Sequence, residues 1–532
     1  MKTPRSRSVL SLVAAAVATA TAAHAQQVVI PDSFPVANSG FGTEALIVSD
    51  MNGGGRRDIL VSVIDPAGVN SGDVRLHASE TGAFVTNFGD GSVRFGRALT
   101  TIGDIDGVLG DEIAMTSPDN GLVWIFKGAL ASGAFDFFAV HTVPTGAGVS
   151  IALLPDLDAS GTPELALGDP ASNSVHVIDS GTGALLYSIT DVRGGGFGTT
   201  LAVDGNRLAI GAPEWSPVVP AVQRNGYVNV HTLGSASAPF LTTFLAPGPT
   251  ADDQRFGGSI AAIGDLDGDG NSEFAVLAPA DNINGPAVYT FSTAASGAPL
   301  ATFGYASVNA NDRGRVAALG DIDGDSRGDF AFTDDVNLRL ITTPTNATLV
   351  LENTPPPSGS VFSGAVVSGP DALGQGVLDL VTGRTVTGTP FAEVSIEPIA
   401  VLRSLPNPPD ITLTVVGGGV GTSMRRPALG SAYQMQVATT QTSSVGAFLL
   451  FDLLPPVSLP MGNGIAYMTP GGTSVVVGST GVIAGAPVTF NPINLPNIPS
   501  ALYFGYIAQI AGFTSTNALI LSNGLVLRLG TY

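Results

Sequence analysis

The sequence predicts an all-β protein built mainly from small sheets that repeat along the chain. Three observations predict it: a turn-rich composition, apolar runs too short for helices, and a unit of about fifty residues that recurs. Glycine occurs 68 times and proline 37 times. Between these breakers lie runs such as residues 59–61, 208–210 and 274–277, whose length suits strands. No amphipathic helical pattern follows the N-terminal segment.

That segment reads as an export signal. Lys2, Arg5 and Arg7 precede an apolar run at residues 9–20, and Ala23-His24-Ala25 gives the small-x-small pattern of a cleavage site. The apolar run is short for a bilayer span, and no stop-transfer pattern follows it. The expected mature chain begins near Gln26 and has no stable membrane span. The formal charge is −21, and Lys127 is the only lysine beyond Lys2. So acidic a chain repels nucleic acid, whose binding needs dense lysine and arginine. The chain has no cysteine, which excludes disulfides, thiolate catalysis and Cys-ligated metals. Stability must then come from a large core, from bound ions, or from both; 44% of residues are apolar, so core size is not limiting.

The repeat is clearest in two copies. Phe256-Gly257 leads to Ile263-Gly264, to Asp265-Leu266-Asp267-Gly268-Asp269-Gly270-Asn271-Ser272-Glu273 and to the apolar run 274–276. Ala318-Leu319-Gly320 leads to Asp321, Asp323, Asp325 and Asp329, then to Phe330-Ala331-Phe332. Weaker copies hold Asp104, Asp106 and Glu112 after Phe95-Gly96; Asp156, Asp158, Ser160 and Glu164; Asp50, Asn52 and Asp58 after Phe41-Gly42; and Asp371 and Asp379 after Phe362-Ser363-Gly364. In all six an acid stands eight positions beyond the first aspartate. A seventh copy, from Phe197-Gly198 to residues 208–213, keeps the frame without the acidic loop. Seven units of about four strands, each unable to bury both faces alone, are best stacked radially as a β-propeller.

Phe-Gly, a gap, then Asp-x-Asp-Gly-Asp-Gly-x-x-Glu before an apolar strand resembles the FG-GAP repeat of integrin α-chain propellers. The resemblance spans roughly residues 30–400. It implies a seven-bladed ring with calcium bound in loops on one face, as in proteins of cell adhesion.

The loop chemistry points the same way. Alternate aspartates followed by an acid at position nine converge several carboxylates on one point, where they repel one another unless a cation intervenes. A hard ion with six to eight oxygen ligands fits, and calcium tolerates such flexible geometry better than magnesium. The loop is not an EF-hand, because strands flank it and the acid stands at position nine rather than twelve. The expected ligands are Asp265, Asp267, Asp269, Asn271 (carbonyl) and Glu273 in one loop, and Asp321, Asp323, Asp325, Arg327 (carbonyl) and Asp329 in the next. Asp104, Asp106 and Glu112, then Asp156, Asp158, Ser160 and Glu164, and finally Asp50, Asn52 and Asp58 form partial sets. Two calcium sites are expected, and up to five are possible.

Catalytic signatures are missing. His77, His141, His176 and His231 are the only histidines after the signal, and three of them fall at about the same strand of their units. No nucleophile elbow, zinc-protease helix or nucleotide loop stands in a suitable context. Trp124, Trp215, Tyr227 and Tyr289 could line a glycan-binding face but read better as blade packing. Beyond a proline-rich linker at 401–411, residues 412–532 alternate short apolar runs with turns and read as a small β-sandwich-like module. Residues 503–509 and 521–525 there resemble a C-terminal module of many large secreted bacterial proteins. The expected function is a non-enzymatic, exported calcium-binding scaffold for a protein or glycan ligand. The alternatives are the scaffold of a hydrolase or lyase acting on polysaccharide or phospholipid, and a structural cell-surface or matrix component.

Overall fold

In the computed structural model the described residues are 28–32, 40–65, 70–108, 110–131, 133–217, 224–247, 254–279, 286–294, 297–305, 314–322, 327–333, 337–341, 348–352, 360–373, 378–386 and 392–398, together with the backbone strands beyond them. The expected signal segment lies outside these residues. The described chain is all-β and forms a seven-bladed β-propeller.

Strand β1 (Val28–Pro31) precedes six blades built from consecutive strands. Blade 1 is β2–β5 (Phe41–Val48, Asp58–Val63, Asp73–Ala78, Phe84–Phe88), and blade 2 is β6–β9 (Leu99–Gly103, Glu112–Ser117, Leu122–Phe126, Phe137–Thr142). Blade 3 is β10–β13 (Ser150–Leu153, Glu164–Asp169, Ser174–Asp179, Leu185–Thr190). Blade 4 is β14–β17 (Thr200–Asp204, Arg207–Ala212, Tyr227–Thr232, Phe240–Phe244). Blade 5 is β18–β21 (Ser259–Gly264, Glu273–Ala278, Ala287–Ser292, Ala301–Gly304), and blade 6 is β22–β25 (Val316–Gly320, Asp329–Thr333, Leu338–Ile341, Thr348–Glu352). Blade 7 takes β26–β28 (Ser360–Gly369, Asp379–Val386, Ala392–Pro398) and borrows β1 as its outermost strand, with Val28 opposite Ile396. The first strands of successive blades lie side by side around the axis, and β26 returns to β2. The ring closes by joining the two ends of the repeat region.

The core is a set of layers between neighbouring blades. One layer joins Val48, Leu60 and Leu76 of blade 1 to Phe95, Ile113 and Phe126 of blade 2. Another joins Val228 and Phe244 of blade 4 to Phe274, Tyr289 and Phe291 of blade 5. The second strand of each blade is pressed between two such layers, so β3, β7, β11 and β19 are buried along their whole length. This explains their unbroken apolar runs: no position of such a strand faces water.

The Phe-Gly pairs hold adjacent blades in register. Gly257 donates its N–H to Leu277 O of its own blade at 3.0 Å, while its carbonyl accepts Thr200 Oγ1 of blade 4 at 2.7 Å. Gly198 repeats the stitch with Gly211 O and Ser150 Oγ, and Gly96 with Thr116 O and Ser62 Oγ. Gly257 has φ +91°, and a Cβ there would meet Tyr227 O at 3.0 Å. Gly257→Ala should therefore cost about 2 kcal/mol or more, from left-handed strain plus the clash, read as a lower midpoint in urea. A loss below about 0.5 kcal/mol would contradict this reading of the motif. Blade 3 makes the stitch with Ala147-Gly148, where Gly148 N bonds Gly168 O and Gly148 O accepts Thr116 Oγ1. The phenylalanine is dispensable to the turn, and the glycine is not.

Beyond the ring, β29 (Arg403–Leu405) lies within the segment read as a linker and pairs with β40 (Gly524–Arg528). That pair belongs to a larger sheet in which β32 (Val445–Leu453) lies between β35 (Val475–Val482) and β38 (Gly505–Phe513), and another sheet pairs β30 (Ile411–Val416) with β31 (Ala432–Thr439).

Candidate metal centres

The acidic loops connect the first and second strands of their blades, so all lie on the same face of the disc. The acid at position nine opens the second strand and is buried in every case: Asp58, Glu112, Glu164, Glu273, Asp329 and Asp379 are at most 1% exposed. One of its oxygens accepts the backbone N–H of loop position two, from Met51, Ile105, Leu157, Leu266, Ile322 and Ala372 at 2.6–2.9 Å. The acid is thus first a clamp that curls the loop. It recurs in blade 7 even though few other acids accompany it there.

Its second oxygen differs from blade to blade. In blades 2, 3 and 5 the Oε1 atoms of Glu112, Glu164 and Glu273 are buried and lack a hydrogen-bond partner among the described residues. Burial, reinforced by neighbouring aspartates, raises the pKa of Glu112 and Glu164 and pushes Glu273 up to about 7. A buried carboxylate oxygen without a donor is costly, and of the three acids Glu112 has Lys127 within electrostatic reach.

Beside these atoms the loop aspartates converge. Oxygens of Asp104, Asp106 and Glu112 lie within 4.8 Å of one another, as do those of Asp156, Asp158 and Glu164, and those of Asp265, Asp267 and Asp269. Loop amides hold them in place: Asp265 accepts from Gly268 N and Gly270 N at 2.6 and 2.9 Å, and Asp156 accepts from Ser160 N and Gly161 N at 3.1 and 3.0 Å. Glu273 stands outside the three-aspartate set of its own loop, and the Asn271 amide donates to Asp269 Oδ1 at 3.1 Å. Ser160 turns its hydroxyl to Asp179 Oδ2 at 2.9 Å. Of the blade 6 residues, Asp321, Arg327 and Asp329 are described, whereas Asp323 and Asp325 lie outside the described residues.

Blade 1 completes its loop differently. Asn52 donates its side-chain amide to Asp58 Oδ1 at 2.6 Å and accepts Gly54 N through Oδ1. The amide therefore supplies the partner that the equivalent acids of blades 2, 3 and 5 lack. Asp58, buried near Asp50 and Glu80, is still pushed up to about 6.

Asp179 braces the blade 3 loop from below. It accepts Ser160 Oγ and Thr162 Oγ1 on one oxygen, and Thr182 N and Oγ1 on the other. Burial alone would raise its pKa, but these donors win and lower it to about 2. With the folded value depressed, its contribution is complete above the ordinary carboxylate range and disappears as pH falls toward 2. Asp179→Asn should cost roughly 2 kcal/mol at pH 7, with the gap to wild type closing near pH 2. Urea melts at the two pH values test this, and a gap independent of pH would refute it.

The remaining polar and aromatic candidates serve packing. His77 and His231 occupy the same position of their third strands, each between two phenylalanine edges: Phe41 and Phe84, or Phe197 and Phe240. His176 lies two residues earlier in its strand and meets Ser188 Oγ at 2.9 Å across the ladder, so its register differs from theirs. His141 is on a fourth strand, at 2.7 Å from Ser180 O. Tyr227 and Tyr289 are fully buried, and Arg193 stacks on the Tyr227 ring at 3.9 Å. Trp215 meets the edge of Tyr227, and its backbone covers Gly195.

No protein-family model and no curated protein matches the chain. Among solved structures it is similar to the Dos1 propeller, at 14% identity and a TM-score of 0.42, over 66% of this chain and 76% of that one.

Proposed function

We propose that the chain is an exported, calcium-binding propeller of the FG-GAP type. In this reading it is a non-catalytic scaffold that presents its loops to an extracellular protein or glycan. One observation carries the ion reading: buried, unpartnered carboxylate oxygens at Glu112, Glu164 and Glu273 beside clusters of converging aspartates. All the donors are oxygens, which favours a hard cation, and the flexible glycine-rich loop favours calcium over magnesium. Export is supported by the basic-then-apolar N-terminus and the cysteine-free, acidic composition. The scaffold reading is supported by the use of the histidines and most aromatics in packing.

Calcium titration into the full chain, followed by calorimetry, tests the proposal. Saturable binding at roughly 10⁻⁴ to 10⁻³ M is expected, with one site lost in Asp158→Asn and another in Asp267→Asn. Magnesium binding as tight as calcium, or no binding at 10 mM of either ion (about ten times the weakest dissociation constant expected), would overturn the ion reading. Binding to a glycan and protein array in calcium, lost in chelator, tests the scaffold reading.

A further inference from the structure

The loops of blades 5 and 7 do not stand alone, because both are gripped by the blade that follows in the ring. Gly328 N of blade 6 donates to Asp265 O, the first residue of the blade 5 loop, at 2.7 Å. The approach is so close that a Cβ at Gly328 would fall 1.7 Å from Ile263 O. Arg327, the neighbouring residue, consequently projects over the blade 5 loop. One of its terminal nitrogens stands 3.4 Å from where a side-chain carbon at Gly268 would be. Gly268 is the turn whose N–H binds Asp265 Oδ1, and Asp267 and Asp269 flank it.

Blade 1 repeats the device at the same loop position, seven. Arg56 Nη1 donates to Leu373 O in the loop of blade 7, beside Ser79 Oγ, which donates to Ala372 O at 2.8 Å. In blade 7 the arginine and the serine hold the loop through its carbonyls. In blade 5 the arginine sits at the edge of a three-aspartate cluster.

We propose that Arg327 sets the cation affinity of the blade 5 loop, acting from blade 6 as a resident positive charge that offsets the aspartates when no ion is bound. The inference rests on the calcium reading above. A fixed guanidinium near the cluster lowers the cost of the empty loop and repels an incoming divalent ion. Screened through the partly solvated loop, the effect is on the order of tenfold in affinity.

Calcium chloride titrations of the full chain and of Arg327→Gln and Arg327→Lys test this. In Arg327→Gln the site abolished by Asp267→Asn should tighten about tenfold, less at 0.5 M salt, while the ion-free melting midpoint falls. Arg327→Lys should keep the wild-type affinity, because charge rather than the guanidinium fork is at issue. Wild-type calcium binding with an unchanged Arg327→Gln affinity overturns the inference and leaves the calcium reading standing. No binding to wild type overturns both. If Arg327→Gln does not fold, a Lys variant with altered affinity overturns the charge argument by itself.

Discussion

Asp32→Ala should destabilise the propeller by about 3–5 kcal/mol, the cost of removing one partner from a buried ion pair. Asp32 follows β1, the strand that closes the ring, and its side chain is fully buried. Its Oδ1 accepts Arg75 Nη1 of blade 1 at 2.7 Å, and the Arg75 side chain is only 9% exposed. The guanidinium also meets Asp73 at 3.2 Å and lies over the Phe41 ring at 5.8 Å. The pair therefore spans the joint between blade 7, to which β1 belongs, and blade 1, close to where the chain passes from one to the other. Loss of the carboxylate leaves the buried guanidinium short of one counter-charge and removes a side-chain tie on the borrowed strand. The measurement is a urea midpoint combined with limited proteolysis, where early cleavage near the N-terminus is expected. The double change Asp32→Leu with Arg75→Met should recover much of the loss, since the fully buried charge goes with its partner, while Asp73 is partly exposed and keeps the Asn87 amide as a donor. A single-variant cost under 1 kcal/mol would show that β1 closes the ring through its ladder alone.

The blades are legible in the sequence because they rest on short-range signals: a glycine at the stitch, in six of them an acid eight positions past the first aspartate, and an apolar run at the heart of the second strand. Each signal answers a local constraint that the structure shows directly. Blade 3 hid its stitch because Ala147 replaces the phenylalanine, although Gly148 keeps the turn. The spacing marks the acid at position nine as a ligand, and the structure commits one of its oxygens to the loop backbone. Spacing alone does not tell one carboxylate oxygen from the other. Asn52 stands at a ligand position in the repeat, and only the structure shows both ends of its amide in use, the NH₂ toward Asp58 and Oδ1 toward Gly54 N. The repeat points to Arg327 through its carbonyl alone, because its side chain's reach to Gly268 depends on how two blades pack. The strand closing the ring was similarly hidden, since Val28 meets Ile396 only when seven units come full circle. What the sequence conceals is the use of individual side-chain atoms within a loop, and what lies between blades.

Calcium should raise the melting midpoint by several degrees, and EGTA should reverse the rise. Each loop in blades 2, 3 and 5 gains about 1.4 kcal/mol for every tenfold excess of ion over its dissociation constant. Three loops together then contribute about 4 kcal/mol at a tenfold excess. The gain is large because the ion-free loops carry a cost of their own: three buried glutamate oxygens without donors. Blade 1 provides an internal control, since the Asn52 amide already completes Asp58. Asn52→Asp removes that donor and adds a carboxylate beside Asp50 and Asp58. It should cost about 1–3 kcal/mol in EGTA, and calcium should recover most of that loss by filling the new carboxylate set. A wild-type midpoint indifferent to EGTA would mean that the acidic loops are stable as empty turns. An Asn52→Asp deficit of equal size with and without calcium would mean that the amide and the ion do not substitute for one another, and that the loops differ in more than their cation.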